Sequence, residues 1–498
     1  MDGSRRTIGL VLLGLLAFGL RAWVVFALST EHTRPLDYEH GRIAENLLAG
    51  KGFSIEFLGQ AGPTSQQAPF YPLLLAAFYK TLGVHSAAAI LGVELLQCLA
   101  GAALTLAVVW LGWSLLPDQR GIGWIAGFME AIHPSHLYMV THLQVAIWAA
   151  LGLTLLLAIA ASPRSKATWR GAALTGLVAG VLLLVEPILA LALPVAAALF
   201  WFGAYRAACN GPHRGAFARA SKQVALMAGV ALLVITPWTV RNWLIHGEPV
   251  FIKTTFGYAF WQGNSPGSWG TDKVPKAAAE AARLDNDGTL RGVERALWEA
   301  RYVTVYIDDL SLKPTGYRDF AGLSEPARSR LLLHRAWQFI HANPAVYLHL
   351  CLKRLQYFLL FDETNPKASH WLYRITTVVW LVLAVVGALV SWPHRRRLWP
   401  TYAVFLAVML FHTLVIVSAR FRIPVEPLSL LWAAAAVAPL VARAEELAIG
   451  GWCAVATRGA GSRRRTSMPA PSSPEGRPAN ALPGPHFLTR SAPPGVRR

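Results

Sequence analysis

The chain has 498 residues, of which 54% are hydrophobic and only 15% charged, and a formal net charge of +19. Soluble domains carry roughly 25% charged residues, so this composition excludes an ordinary soluble globular protein and requires that much of the chain face lipid. The basic excess is scattered over several short segments rather than gathered in one stripe, which argues against a nucleic-acid partner.

A membrane-spanning helix needs roughly 20 apolar residues, because the bilayer core offers no water to backbone groups. Taken in chain order, such segments fall at about 8–28, 88–116, 121–139, 143–161, 170–187, 188–205, 223–241, 372–392, 399–418 and 423–442. The expected fold class is therefore an all-α polytopic membrane protein with about ten or more transmembrane helices. The first segment follows Arg5-Arg6 and is read as a retained helix, because no small-residue cleavage site follows it. Basic residues mark alternate short loops: Arg164, Lys166 and Arg170; Arg206, Arg214, Arg219 and Lys222; Arg395 to Arg397. Lys and Arg favour the cytoplasmic side, so both termini are expected there.

Four regions follow. An N-terminal membrane module spans 1–241 and carries a first outer loop at 29–87. A long outer region, 242–371, holds an interrupted apolar run at 346–361 (with Lys353-Arg354 inside it) that reads as an interfacial helix. C-terminal transmembrane helices fill 372–442, and the Pro-, Ser-, Gly- and Arg-rich stretch 443–498 is expected to be a disordered cytoplasmic tail. The four cysteines show no CxxC spacing, so neither a disulfide framework nor a zinc site is expected from them.

Ionisable residues near membrane spans are costly and mark function by default. On this topology Glu94, Glu130, Glu186, Arg241, Arg420, Arg422, Glu426, His133, His136 and His142 all fall towards outer helix ends. A ring of both charge signs at headgroup level suits a lipid-linked anionic substrate. Asp37, in Pro35-Leu36-Asp37-Tyr38-Glu39 just beyond the first span, is the sharpest candidate for a general base; Glu39 reads as a solvated helix-start charge or its assistant.

The block Asp37-Tyr38 with Ile43 to Ser54, followed by Gly62-Pro63-Thr64 and Pro69-Phe70-Tyr71-Pro72, resembles the first outer loop of bacterial GT-C glycosyltransferases. The closest likeness is to the family 39-like group, akin to protein mannosyltransferases and aminoarabinose lipid A transferases. Three later blocks agree: Pro237 to Asn242 with Tyr258 to Asn264, Phe339 to Pro344, and Arg420 to Pro427. The resemblance implies a GT-C-like bundle with outer-face loops, in the plasma membrane of a bacterium. It also implies transfer of a sugar, with inversion, from a polyprenyl-phosphate donor to a hydroxyl of a lipid, glycan or protein acceptor on the outer face. Asp37 maps onto the proposed catalytic base, while Arg241, Arg420 and Arg422 are the natural donor-phosphate carriers, with Glu39, Lys51 and Tyr71 as further substrate contacts. No cofactor is expected. Three positions depart from related sequences: Gln67-Ala68, where a basic residue is common; Gln144, where Glu is common; and Glu186-Pro187, in place of Arg-Pro.

Other motifs carry less. Asp285-Asn286-Asp287 has the form of a metal-holding D-x-D but sits before Gly288 without a strand signal, so it reads as a capped turn. His133-Pro134-Ser135-His136 lacks a carboxylate or cysteine at fixed spacing, so no metal is expected there. Trp238, Trp243, Tyr258, Trp261 and Trp269 suit either sugar stacking or an interfacial aromatic belt. The rival functions are a transporter or flippase for a lipid-linked sugar, which would need polar residues at mid-span, and an inactive membrane subunit of the same fold.

Overall fold

A computed structural model describes residues 3–35, 38–166, 168–209, 215–275, 289, 292, 294–295, 298–299, 304–313 and 316–461, with side chains to 443. The chain divides into two units, Met1–Val441 and Ala442–Arg498. Of the tail expected to be disordered at 443–498, residues 443–461 are helical backbone continuing the last helix, and 462–498 lie outside the described residues.

The first unit is an all-α membrane bundle. Its helices are α1 (Gly3–Leu28), α2 (Thr30–Thr33), α3 (Glu39–Leu48), α4 (Phe70–Leu82), α5 (Ala87–Leu115), α6 (Arg120–Ala131), α7 (Pro134–Met139), α8 (Ala146–Ala161) and α9 (Pro163–Lys166). They continue as α10 (Trp169–Val185), α11 (Leu193–Cys209), α12 (Ala216–His246), α13 (Phe256–Gly263), α14 (Ile307–Ser311), α15 (Glu325–Ala342), α16 (Pro344–Leu359), α17 (Trp371–Val390), α18 (Arg395–Leu414) and α19 (Glu426–Gly461), of which the part up to Val441 belongs to this unit. A hairpin pairs β1 (Ser54–Phe57) with β2 (Gln60–Pro63), and a two-residue ladder pairs β3 (Lys273–Val274) with β4 (Val305–Tyr306).

Each expected span falls mainly on helix, and among the described residues six helices are long and apolar enough to cross a membrane: Ser4–Thr33, Ala87–Leu115, Pro187–Cys209, Ala216–His246, Trp371–Val390 and Trp392–Leu414. The expected span 121–139 is split at His133, whose extended backbone before Pro134 ends α6. Helices α8 and α10 are shorter, at 16 and 17 residues, and α8 is almost wholly enclosed by its neighbours.

Helix contacts in lipid come from close packing rather than water exclusion, which favours small residues at interfaces. Gly176 and Gly180 of α10 are spaced i, i+4 and press on α12. A Cβ on Gly176 would stand 2.3 Å from the Met227 carbonyl oxygen, and one on Gly180 would stand 2.6 Å from Val234 Cβ. Larger residues there would force the two helices apart.

A second core of different origin joins the loops. Ile43 of α3, Phe53, Ile55 and Phe57 of the hairpin segment, Phe260 and Trp261 of α13, Ile307 of α14, and Leu332, Ala336 and Ile340 of α15 pack together. These elements lie outside the six spans, so water exclusion contributes about 1.5–3 kcal/mol for each large apolar side chain fully buried. Glu325 starts α15 and accepts hydrogen bonds from Ser65 N (2.8 Å), Thr64 Oγ1 (2.6 Å) and the Thr254 hydroxyl. One buried carboxylate thereby ties the loop after β2 to the segment before α13. The run 346–361 is helical as far as Leu359, with Leu348 and Leu352 exposed and Arg354 buried.

Candidate functional site

Asp37 and its neighbour Leu36 lie outside the described residues, as does Asp285-Asn286-Asp287. The residues directly after Asp37 are defined. Tyr38 caps α3, Glu39 is exposed in its first turn, where a carboxylate favours the helix dipole, and His40 is buried. The His40 ring meets Tyr71 edge-on, with centroids 5.1 Å apart. Tyr71 is fully buried and donates to Gln97 Oε1 (2.8 Å), while Gln97 donates to the carbonyls of Val140 and His142. Tyr71 is thus part of the wall that fixes α3 on α4 and α5. Burial, then the cations Lys253 and Arg420, push His40 down to about 3, so it is neutral at working pH.

Around the start of α3 the second core gathers a polar cluster. Lys273 donates to Asp272 Oδ1 at 2.6 Å, and both side chains are largely buried. Burial pushes the Asp272 carboxyl up, but Lys273 and Arg420 outweigh it and hold the group below its usual range. Burial also lowers Lys273, yet Asp272 and Asp362 raise it above the ordinary lysine value. Asp308 accepts from the Tyr258 hydroxyl and from Gln262 Nε2 (3.3 Å), and burial raises it. Buried Asp362 accepts from Thr364, whose hydroxyl meets Thr271 at 2.7 Å. Glu39 acts electrostatically on Tyr258 and Tyr306.

Arg420 lies within electrostatic reach of His40, Asp272, Lys273 and Tyr306. It is exposed, and its guanidinium makes no hydrogen bond or ion pair among the described residues, resting only over the Phe421 ring at 5.4 Å. Phe421 in turn stacks on His412, with centroids 4.7 Å apart, so the base under the arginine is rigid.

The structure separates the three candidate arginines. Half-buried Arg241 donates to the carbonyls of Thr64 (2.6 Å) and Phe53 (2.9 Å), to Ser65 Oγ (3.2 Å) and to Asn242 Oδ1 (3.0 Å), with its charge over Trp238. Arg422 is buried, donates to Glu426 Oε1 (2.5 Å) and to the carbonyls of Phe358 and Leu359, and lies over Trp380. Both are committed to protein partners, whereas Arg420 is open. Lys51 is exposed in a turn between Gly50 and Gly52, both in the left-handed region. Gln67, Gln144 and Glu186 are half-buried, and none has a side-chain hydrogen bond among the described residues.

Several residues of this site escaped the sequence. Asp308-Asp309 reads there as a solvated pair, but the two differ: Asp309 pairs with the exposed Lys313, while Asp308 is held by Tyr258 and Gln262. Asp272, Lys273 and Asp362 belong to no motif. Arg354 reads as an interruption of an interfacial helix, yet it is fully buried and donates to Thr413 O (2.6 Å), Gly263 O (2.8 Å) and Asn264 Oδ1 (3.1 Å). Fully buried Arg21 of α1 pairs with Glu130 at 2.7 Å, in space left by Gly101.

No protein-family model and no curated protein matches the chain. Solved structures of the Archaeoglobus fulgidus oligosaccharyltransferase are similar at a low level. The apo form is 15% identical with a TM-score of 0.43, covering 90% of this chain and 52% of that one. The form tethered to an acceptor peptide with the NVT sequon is 12% identical with a TM-score of 0.29, covering 86% and 55%. This chain therefore spans about half the length of those structures, and at such scores the likeness assigns neither family nor substrate.

Proposed function

We propose that the chain is a membrane glycosyltransferase of GT-C type that uses a polyprenyl-phosphate-linked sugar on the extracytoplasmic side of a bacterial plasma membrane. The observation that carries the reading is Arg420: an open guanidinium on a stacked base, within electrostatic reach of the helix that begins directly after Asp37. A planar guanidinium suits phosphate oxygens, which it can engage bidentately.

In this reading Asp37 takes the proton of the acceptor hydroxyl as its oxygen attacks the anomeric carbon. The bond from that carbon to the phosphate oxygen breaks, and the polyprenyl phosphate leaves with the electron pair, its charge met by Arg420. Attack opposite the leaving group inverts the anomeric centre. Phosphate needs no general acid to leave, so one carboxylate suffices rather than the pair of a glycoside hydrolase. Arg241 and Arg422 position the walls around the site, Glu39 and Lys51 edge it, and Tyr71 fixes α3. The acceptor is a hydroxyl of a lipid, glycan or protein, and the second core is well placed to select it.

The test is turnover of radiolabelled polyprenyl-phosphate sugars by purified protein in lipid, wild type beside Asp37→Asn. We expect free polyprenyl phosphate from wild type and at least a 10²-fold lower rate from the variant, the usual scale for a lost general base. Equal rates from folded variant and wild type would remove Asp37 from the chemistry. Labelled lipid crossing the bilayer without turnover would favour a transporter.

A further inference from the structure

His133, His136 and Glu426 come from different parts of the chain and meet inside the bundle. Their nearest ligand atoms all lie within 4.8 Å of one another. Each is at least nine-tenths buried.

The outward atom of two of these residues is already taken. His136 Nδ1 meets Glu130 Oε1 at 3.1 Å, and Glu130 is itself bonded to Arg21 and to the Thr105 hydroxyl. Glu426 Oε1 accepts from Arg422 at 2.5 Å. What remains points to one place: His136 Nε2 stands 3.1 Å from Glu426 Oε2, and His133 Nδ1 stands 4.0 Å from the same oxygen. His133 Nδ1 has no hydrogen-bond partner. A histidine whose far nitrogen is fixed by a carboxylate, leaving the near lone pair free, is the usual arrangement behind a metal ligand.

A proton placed between His136 and Glu426 would satisfy two of these atoms and leave the third orphaned. A metal ion accepts all three. We propose that His133 Nδ1, His136 Nε2 and Glu426 Oε2 form a three-ligand site for a divalent transition cation of the zinc class, none of whose ligands is assigned to sugar transfer. Zinc bonds to nitrogen and oxygen run about 2.0–2.2 Å, so tetrahedral donors stand roughly 3.3–3.5 Å apart. The observed separations require contraction mainly at His133. Its backbone sits at the break between α6 and α7, in the extended N-cap position of α7, outside the regular body of either helix. The ion would clamp that break to the first turn of α19.

The test uses the full chain in lipid nanodiscs, purified without a polyhistidine tag, loaded with Zn²⁺ or Co²⁺ and then freed of loose metal. Elemental analysis should give one metal per wild-type chain and an intense tetrahedral Co²⁺ visible spectrum. His133→Gln should lower occupancy at least tenfold, while His341→Gln, an exposed histidine elsewhere, should load fully. If His133→Gln fails to fold, His133→Cys supplies an independent reading, since a thiolate ligand adds a sulfur-to-cobalt charge-transfer band. Wild type holding less than 0.1 metal per chain after loading, His133→Gln loading as wild type, or Co²⁺ bound without that band in His133→Cys would overturn the site.

Discussion

The bundle interior and the loop core handle charge in opposite ways. Inside the bundle, Arg21, Glu130, His136, Glu426 and Arg422 alternate in one chain of contacts, with separations of 2.5 to 3.1 Å and almost no exposure. At the loop core, Asp272 and Lys273 close on each other, while Arg420 beside them stays exposed without an ion pair among the described residues. Burial explains the contrast. An unpaired charge inside costs several kcal/mol, so interior charges must be closed, whereas one at a wet surface can be kept open for a ligand. In the proposed reading, the closed arginines Arg241 and Arg422 position the walls and the open Arg420 is the one assigned to the donor phosphate.

The largest effect that could break this comparison is on Arg422. Its replacement by Ala leaves buried Glu426 without its cation, beside His136 at 3.1 Å, and removal of one partner from a buried pair costs about 3–5 kcal/mol. We expect Arg422→Ala to show a large fall in apparent Tm or poor recovery from the membrane; a variant as stable as wild type would show that the network is not closed.

Arg241→Ala is expected to be milder, at about 1–3 kcal/mol, because half-buried carbonyl partners can turn to water. Donor KM should stay within twofold of wild type once the folded fraction is counted. A rise in KM with stability unchanged would move Arg241 from the wall into the phosphate site.

The smallest effect sharpens the picture at α3. His40 is held neutral by burial, its pKa lowered from 6.5 to about 3. As pH falls through 6.5 the unfolded chain takes up a proton that the folded chain refuses, so stability declines towards pH 3 by at most about 1.4 kcal/mol per pH unit. In thermal unfolding between pH 7 and 5, His40→Gln should lower stability at neutral pH but flatten this acid slope. An unchanged slope would mean that His40 is not the group being titrated.

Much of the bundle was legible because hydropathy alone reports which segments must face lipid. The resemblance also singled out the Arg420 block, and Arg420 lies within electrostatic reach of His40 in α3. What could not be read was pairing. Arg21 and Glu130 are 109 positions apart and His136 and Glu426 are 290 apart, distances at which no local periodicity connects two charges. For the same reason the sequence set Arg241, Arg420 and Arg422 in one class. Only the partners made by folding divide them. The break within 121–139 was not read because a hydropathy average over the segment does not register the backbone conformation that Pro134 imposes on His133.

The most direct test is the donor dependence of initial rates for Arg420→Ala in lipid, beside wild type and Arg420→Lys. A charge-assisted hydrogen bond to phosphate contributes about 1.5–3 kcal/mol, so loss of the open guanidinium should raise donor KM at least tenfold. Thermal stability should stay close to that of wild type, and lysine should restore part of the affinity. Donor KM unchanged in a folded Arg420→Ala protein would contradict the account, because the open guanidinium beside α3 would then bind nothing the reaction uses.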